Sequence, residues 1–221
     1  MALPRFQNLH SDRREHILEV AGHEFADHGF AGASVNRILD RAGLSKGVLY
    51  YYFEDKADLF ETTLEAAVRH LFEERGLPGG REALGHWVET LDADAFWDAL
   101  REMSRQSLGL LRSDLWFVRL ARAYPRIRQE PAGPTLTGNV EGLGRGSLEA
   151  LLSRGRALGV VRSDLPLDFL VEVSAALDHA GDRWIVERLD EMDDGELAAL
   201  MDARMDMLRD MLDAAHVGWE E

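Results

Sequence analysis

Apolar residues recur at steps of three and four along almost the whole of this 221-residue chain, and no Val/Ile/Thr run alternates with polar neighbours. That period is the one at which helical side chains share a face, and it argues against strands. The expected fold is therefore all-α. With no cysteine, disulfides and thiolate metal sites are excluded. No window nears the roughly 18 unbroken apolar residues of a membrane span. The opening MALPRFQNLHSDRRE lacks the apolar stretch of a signal peptide. A cytoplasmic protein with no membrane partner is expected.

The first helix should open at Ser11 as N-cap, with Asp12 on the positive end of the dipole, and bury Ile17, Ala21 and Phe25. It should stop at HGF, where Gly29 suits a left-handed backbone and Phe30 can fold back on Phe25. A second helix runs from the cap Ser34 through Val35, Ile38, Leu39 and Ala42 to Gly43. Only Leu44 and Ser45 precede the next apolar set, Val48, Leu49 and Phe53, with Ser45 as cap and Leu44 stapled to Leu49. Two short helices across a glycine turn make a helix-turn-helix. Asp55 then caps a longer helix with Phe60, Leu64, Val68, Leu71 and Phe72 on one stripe. Beyond GLPGG (76–80), helices are expected near 81–91, 94–112, 114–124, 135–158, 166–190 and 194–215. YPRIRQEPAGP and RSDLP read as loops, and Val161 with Leu165 is too little for a strand.

Charge is unevenly placed. The chain carries −15, yet residues 1–56 hold 7 Lys/Arg against 8 Asp/Glu, while residues 57–221 hold 18 against 32. A polyanion site, if present, belongs in the first quarter. The chain's two lysines, Lys46 and Lys56, both fall in GLSKGVLYYYFEDK, around three tyrosines. On a helix, Leu49 and Phe53 look inward with Val48 beside them, whereas Lys46, Gly47, Tyr50 and Tyr51 form another face. A phenol can bond a phosphate or a base edge and lie against a thymine methyl. Gly47 lets the helix N-terminus approach an anion closely. Lys56 opposes the dipole at the start of the next helix, a conflict that a bound phosphate would resolve.

The run RREHILEVAGHEFADHGFAGASVNRILDRAGLSKGVLYYYFEDKADLFETTL resembles the DNA-binding region of the TetR family of bacterial transcriptional regulators. The carriers are FADHGF, the cap at Ser34, AGLSKGVLYYYF and the lysine three residues after that Phe, within about residues 11–64. The resemblance implies an N-terminal three-helix DNA-binding domain, residues 1–56, and a larger helical bundle, residues 57–221, that dimerises and binds an effector. It places Ser34, Val35 and Asn36 at the second-helix start that meets DNA, Ser45, Lys46, Gly47, Tyr50 and Tyr51 on the recognition helix, and Tyr52 and Lys56 on phosphates. Leu39 and Asp40 replace a usual small Ala and its neighbour. Arg5, Arg13 and Arg14 are a thin version of the basic arm many members carry. The implied activity is that of a homodimeric repressor released from a pseudo-palindromic operator by a small molecule, with no catalysis and no cofactor. Activation, or regulation without an effector, stays open.

In the C-terminal part, Leu170, Val173, Leu177, Ala180 and Trp184 step like a coiled-coil seam, as do Met201, Met205, Leu208, Leu212 and Ala215. Leu200, Met207 and Met211 widen the second stripe beyond what one intramolecular contact needs. Two such helices per subunit can build an intersubunit four-helix bundle. Trp87, Phe96, Trp97, Trp116, Phe117, Tyr124 and Trp184 supply apolar surface of the kind that lines ligand cavities, and His179 in LDHAGDR could line one. Seven glycines between 133 and 159 make that helix weak by composition. The rival class is a helical metalloenzyme, from His23 with Asp27 and Glu24 with His28. No third ligand is nearby, and solvated polar face is the better reading.

Overall fold

The computed structural model describes residues 3–74 and 81–216, so GLPGG lies outside the described residues. The elements are helical: α1 (Pro4–Gln7), α2 (Ser11–Gly32), α3 (Val35–Ala42), α4 (Lys46–Tyr52), α5 (Lys56–Glu74), α6 (Arg81–Thr90), α7 (Phe96–Leu111), α8 (Trp116–Arg128), α9 (Gly133–Ala157), α10 (Leu167–Arg188) and α11 (Asp194–Leu212), with 3-10 turns at Leu189–Glu191 and Ala214–His216. No helix among the described residues is long and apolar enough to cross a membrane. Val161 makes one isolated bridge to Asp213 and no strand.

By packing, the described chain divides after Glu74, at 112/113 and, within α9, at 141/142. One unit holds α1–α5, α8 and the start of α9; the other holds α6, α7, the rest of α9, α10 and α11. The expected division after residue 56 separates segments by role; the packing groups α5 and α8 with the helix-turn-helix.

In the first unit, α2, α5 and α8 form the centre, burying Ile17, Leu18, Phe25, Phe60, Leu64, Phe117 and Leu120. Phe25, Phe30 and Phe60 make a ring cluster. Trp116 lies so close over Gly22 that a Cβ there would overlap its ring. Three expectations need correction. Ser11 stands one residue inside α2, and the cap position is His10, which makes no side-chain cap bond. Gly29 does take a positive φ of 69°, but with ψ 178° and one more helical turn behind it. There the Phe30 and Ala31 N–H groups donate to the Glu130 carboxylate. And α8 runs past Pro125 to Arg128, where a loop was expected. Pro125 sits near the helix end and forfeits one bond. Beyond it, fully buried Ile127 and the Arg126 bond to the Ala26 carbonyl at 2.6 Å hold the last turn.

In the second unit, Phe96, Trp97, Leu100, Leu152, Val161, Leu170, Val171 and Leu212 make the core, and Ile185, Leu189, Leu197 and Met201 a second cluster. Asp193 and Glu196 cap α11 reciprocally. Arg101 and Arg105 reach from α7 to Asp206 and Asp202 of α11. Arg204 bonds Asp178 and Asp182 across Gly181, whose missing side chain leaves room for the guanidinium.

Candidate nucleic-acid interface

The helix-turn-helix forms as its local chemistry dictates. Ser34 accepts from the Arg37 N–H and Ser45 from the Val48 N–H, each at 3.4 Å. Gly43 takes the left-handed conformation, φ 61° and ψ 42°, and the Leu44 N–H returns to the Leu39 carbonyl at 2.9 Å. Asp55 caps α5 by accepting the Asp58 N–H, while Asp58 accepts the Glu54 N–H.

On α4, Leu49 and the following Phe53 are buried, which turns the opposite face outward. Lys46, Gly47, Tyr50 and Tyr51 are all exposed, the two phenols by 48% and 50%. A Cβ at Gly47 would meet nothing within 4 Å, so the room there faces outward. Val48 departs from expectation: it is exposed rather than inward. Tyr52 is half-buried, its ring edge-to-face with Phe6 and Tyr51 at centroid separations of 6.0 and 5.2 Å. At the start of α3, Asn36 is exposed while Ser34 and Val35 are half-buried.

The sequence reading passed over Glu24 as part of a solvated face. It is fully buried. Its Oε1 accepts the Ser34 N–H and the Arg37 Nε–H, both at 2.8 Å, so one carboxylate ties α2 to the entry of α3. Arg41 and His28 stand 3.8 and 3.9 Å from its Oε2. Burial pushes the Glu24 carboxyl up, but the bonds from Arg37 and Ser34 outweigh this and hold it below the usual range. A signal existed: with Ile17, Ala21 and Phe25, position 24 falls on the apolar stripe, where a carboxylate requires a partner. Glu24 and Asp27, the carboxylates of the candidate metal pairs, are held by Arg37 and Arg119.

Lys56 also differs from a free phosphate ligand. Its Nζ donates to the Ala31 carbonyl at 3.4 Å and lies 4.8 Å above the Phe30 ring. Burial draws its pKa down, opposed by Glu130 and Glu24. The conflict with the dipole of α5 is thus met in part by a carbonyl and a π face from the end of α2.

The remaining predicted residues are divided. Trp116 and Phe117 are buried in the first unit, where His70 stacks on Phe117 and bonds Glu15. Phe96 and Trp97, with half-buried Trp87 beside them, belong to the core of the second. Trp184 is exposed and carries Arg188 over its ring. His179 is half-buried, and its neighbours Asp178 and Asp182 are engaged by Arg204. A cleft of about 480 Å³ in the second unit is lined instead by Leu84, Gly85 and Val88 of α6 and by Gly142, Arg145, Gly146, Ser147, Glu149 and Ala150 of α9. Of the expected dimer residues, Leu170, Met201 and Leu212 face their own core, Val173, Leu177, Met205 and Leu208 are half-buried, and Trp184 is exposed.

Residues 17–63 match the family model for bacterial regulatory proteins of the tetR family. The HTH-type transcriptional repressor AcnR of Corynebacterium diphtheriae is 27% identical over 160 residues, 72% of this chain and 74% of that one. The HTH-type transcriptional activator FasR of Mycolicibacterium smegmatis is 38% identical over 73 residues, 33% and 31% of the two chains. Among solved structures, SmeT, the repressor of the Stenotrophomonas maltophilia multidrug efflux pump SmeDEF, aligns with TM-score 0.69 at 19% identity over 96% of this chain and 95% of that one. FadR of Bacillus subtilis, in complex with stearoyl-CoA, aligns with TM-score 0.66 at 16% identity over 88% and 96%. A capped helix-turn-helix with a lysine and two phenols facing outward, on this all-helical fold, makes the matched segment a DNA-binding region of the tetR family kind and the chain a DNA-binding transcriptional regulator.

Proposed function

We propose that the protein is a homodimeric repressor that holds a pseudo-palindromic operator through two copies of α3 and α4 and releases it when a small molecule binds. The carrying observation is the exposed face of Lys46, Gly47, Tyr50 and Tyr51. In a chain of net charge −15 it joins a cation, bare backbone and two hydrogen-bonding rings on one helix. Residues 1–56 do the reading, with Ser34, Val35, Asn36, Ser45, Tyr52 and Lys56 around the helix, and residues 57–221 pair and sense. A two-fold dimer presents two recognition helices to half-sites roughly 34 Å apart.

Pairing is supported by apolar side chains left outside: Phe169, Ala176, Ala180 and Trp184 on α10, and Ala199, Ala203 and Met207 on α11. Sensing is supported by the cleft between α6 and α9 and by the aromatic core beside it in the same unit. The stearoyl-CoA complex of a structural neighbour favours an apolar effector class. The repressor sense follows the AcnR relatives; the activator FasR, matched over a third of this chain, supports activation as a second reading. The compartment is the cytoplasm, where the operator is. The test is selection of duplexes from a random pool by the full-length chain. An enriched inverted repeat is expected, and recovery of no preferred sequence would sink the reading.

A further inference from the structure

Four residues cannot hold a helix in water unaided, so α1 exists because of what it packs on. That partner is the recognition helix. Phe6, 1% exposed, lies 4.7 Å from the Phe53 ring and 6.0 Å from Tyr52. The Leu3 N–H donates to the Tyr52 carbonyl at 2.9 Å, satisfying one of the acceptors that α4 leaves open at its C-terminus.

The three N-terminal arginines do different things. Arg13 donates to the Gly43 carbonyl at 3.2 Å, and Arg14 to the Gln7 carbonyl at 3.1 Å; both close turns of the protein itself. Arg5 is exposed, with its guanidinium over the Tyr51 ring, 4.6 Å from the centroid. Tyr51 belongs to the outward face of α4. A guanidinium resting on a ring keeps its N–H edge free for a phosphate, and its orientation is set before binding.

We infer that α1 is part of the DNA-reading surface: Phe6 is a positioning residue that braces the end of α4, and Arg5, held on Tyr51, contacts the operator backbone beside the recognition helix. This rests on the operator-binding reading above. It separates Arg5 from a flexible basic arm, because the guanidinium is delivered by a packed helix at a defined place on α4.

The test uses the full-length chain and a duplex recovered by the wild-type protein from the random pool, with affinity measured across a salt series. Arg5→Ala binds about 10-fold more weakly and loses about one from the salt slope. Arg5→Lys keeps the slope but not the full affinity, since an ammonium lacks the flat fork. Once Tyr51→Ala is in place, adding Arg5→Ala costs little more, because the two act as a unit. Phe6→Ala weakens binding without lowering the slope, with helicity and thermal unfolding followed alongside. Wild-type affinity and slope in Arg5→Ala overturn the inference and leave the operator reading standing. Failure of the wild-type chain to enrich any duplex overturns both.

Discussion

At the scale of single residues, the interface depends on groups whose cost is local and whose role is to face DNA. Lys46→Ala should weaken operator binding and lower the salt slope by about one, because it removes one phosphate-neutralising charge. Tyr50→Ala should relax base preference as well as affinity; competition between the selected duplex and its single-base variants measures this. Neither should alter thermal unfolding, since both side chains are exposed. Glu24 is the opposite case, buried and structural. Its carboxyl is held below the ordinary range in the fold, so the stability it contributes is present above that range and is lost as pH falls through the lowered value. Glu24→Gln should cost about 1–3 kcal/mol at neutral pH and flatten the acid limb of the stability curve, read by urea unfolding at a series of pH values. Lys46 and Tyr50 were legible because their face follows from spacing alone. For Glu24 only its place on the apolar stripe was legible; its partners Ser34 and Arg37 were not, because they lie across a chain reversal.

At the scale of elements, the glycine that interrupts α2 and the one that ends α3 carry different loads. At Gly43 an added Cβ would meet nothing within 4 Å, so Gly43→Ala tests the left-handed backbone alone and should cost about 1 kcal/mol. At Gly29 the backbone lies at φ 69° and ψ 178°, and a Cβ would overlap the Glu130 carboxylate. Gly29→Ala should therefore cost more, about 2–3 kcal/mol, and the order of the two thermal midpoints checks this. Helix positions in the second half were readable from period to within a few residues. The end of α8 was not. A proline argues locally for a break, and the burial of Ile127 outweighed it. The glycine-rich α9 likewise runs unbroken from Gly133 to Ala157.

At the scale of the whole molecule, the proposed pairing rests on apolar residues that their own chain leaves uncovered. Met207 is half exposed, whereas Met201 and Leu212 on the same helix are inside. Met207→Glu should raise the dimer dissociation constant at least 10-fold without lowering helix content, because it adds a charge to an apolar contact and removes nothing from the core. Light scattering over a dilution series, with circular dichroism beside it, reads both. Operator affinity should fall with it, since a monomer offers one reading head. An unchanged dimer would relocate the interface and leave the helix-turn-helix untouched.

Periodicity, caps and turn glycines determined by themselves that this chain is helical, where its reading motif lies and which face of α4 looks outward. These are short-range properties, set by backbone sterics and by side chains within a turn or two. Only the tertiary structure decided that Glu24 is a buried tie, that Lys56 rests on Phe30, that α1 exists and carries Arg5 onto Tyr51, and which half of each apolar stripe stays uncovered. Each depends on a residue distant in sequence supplying the partner, and no local pattern records where that partner will come from.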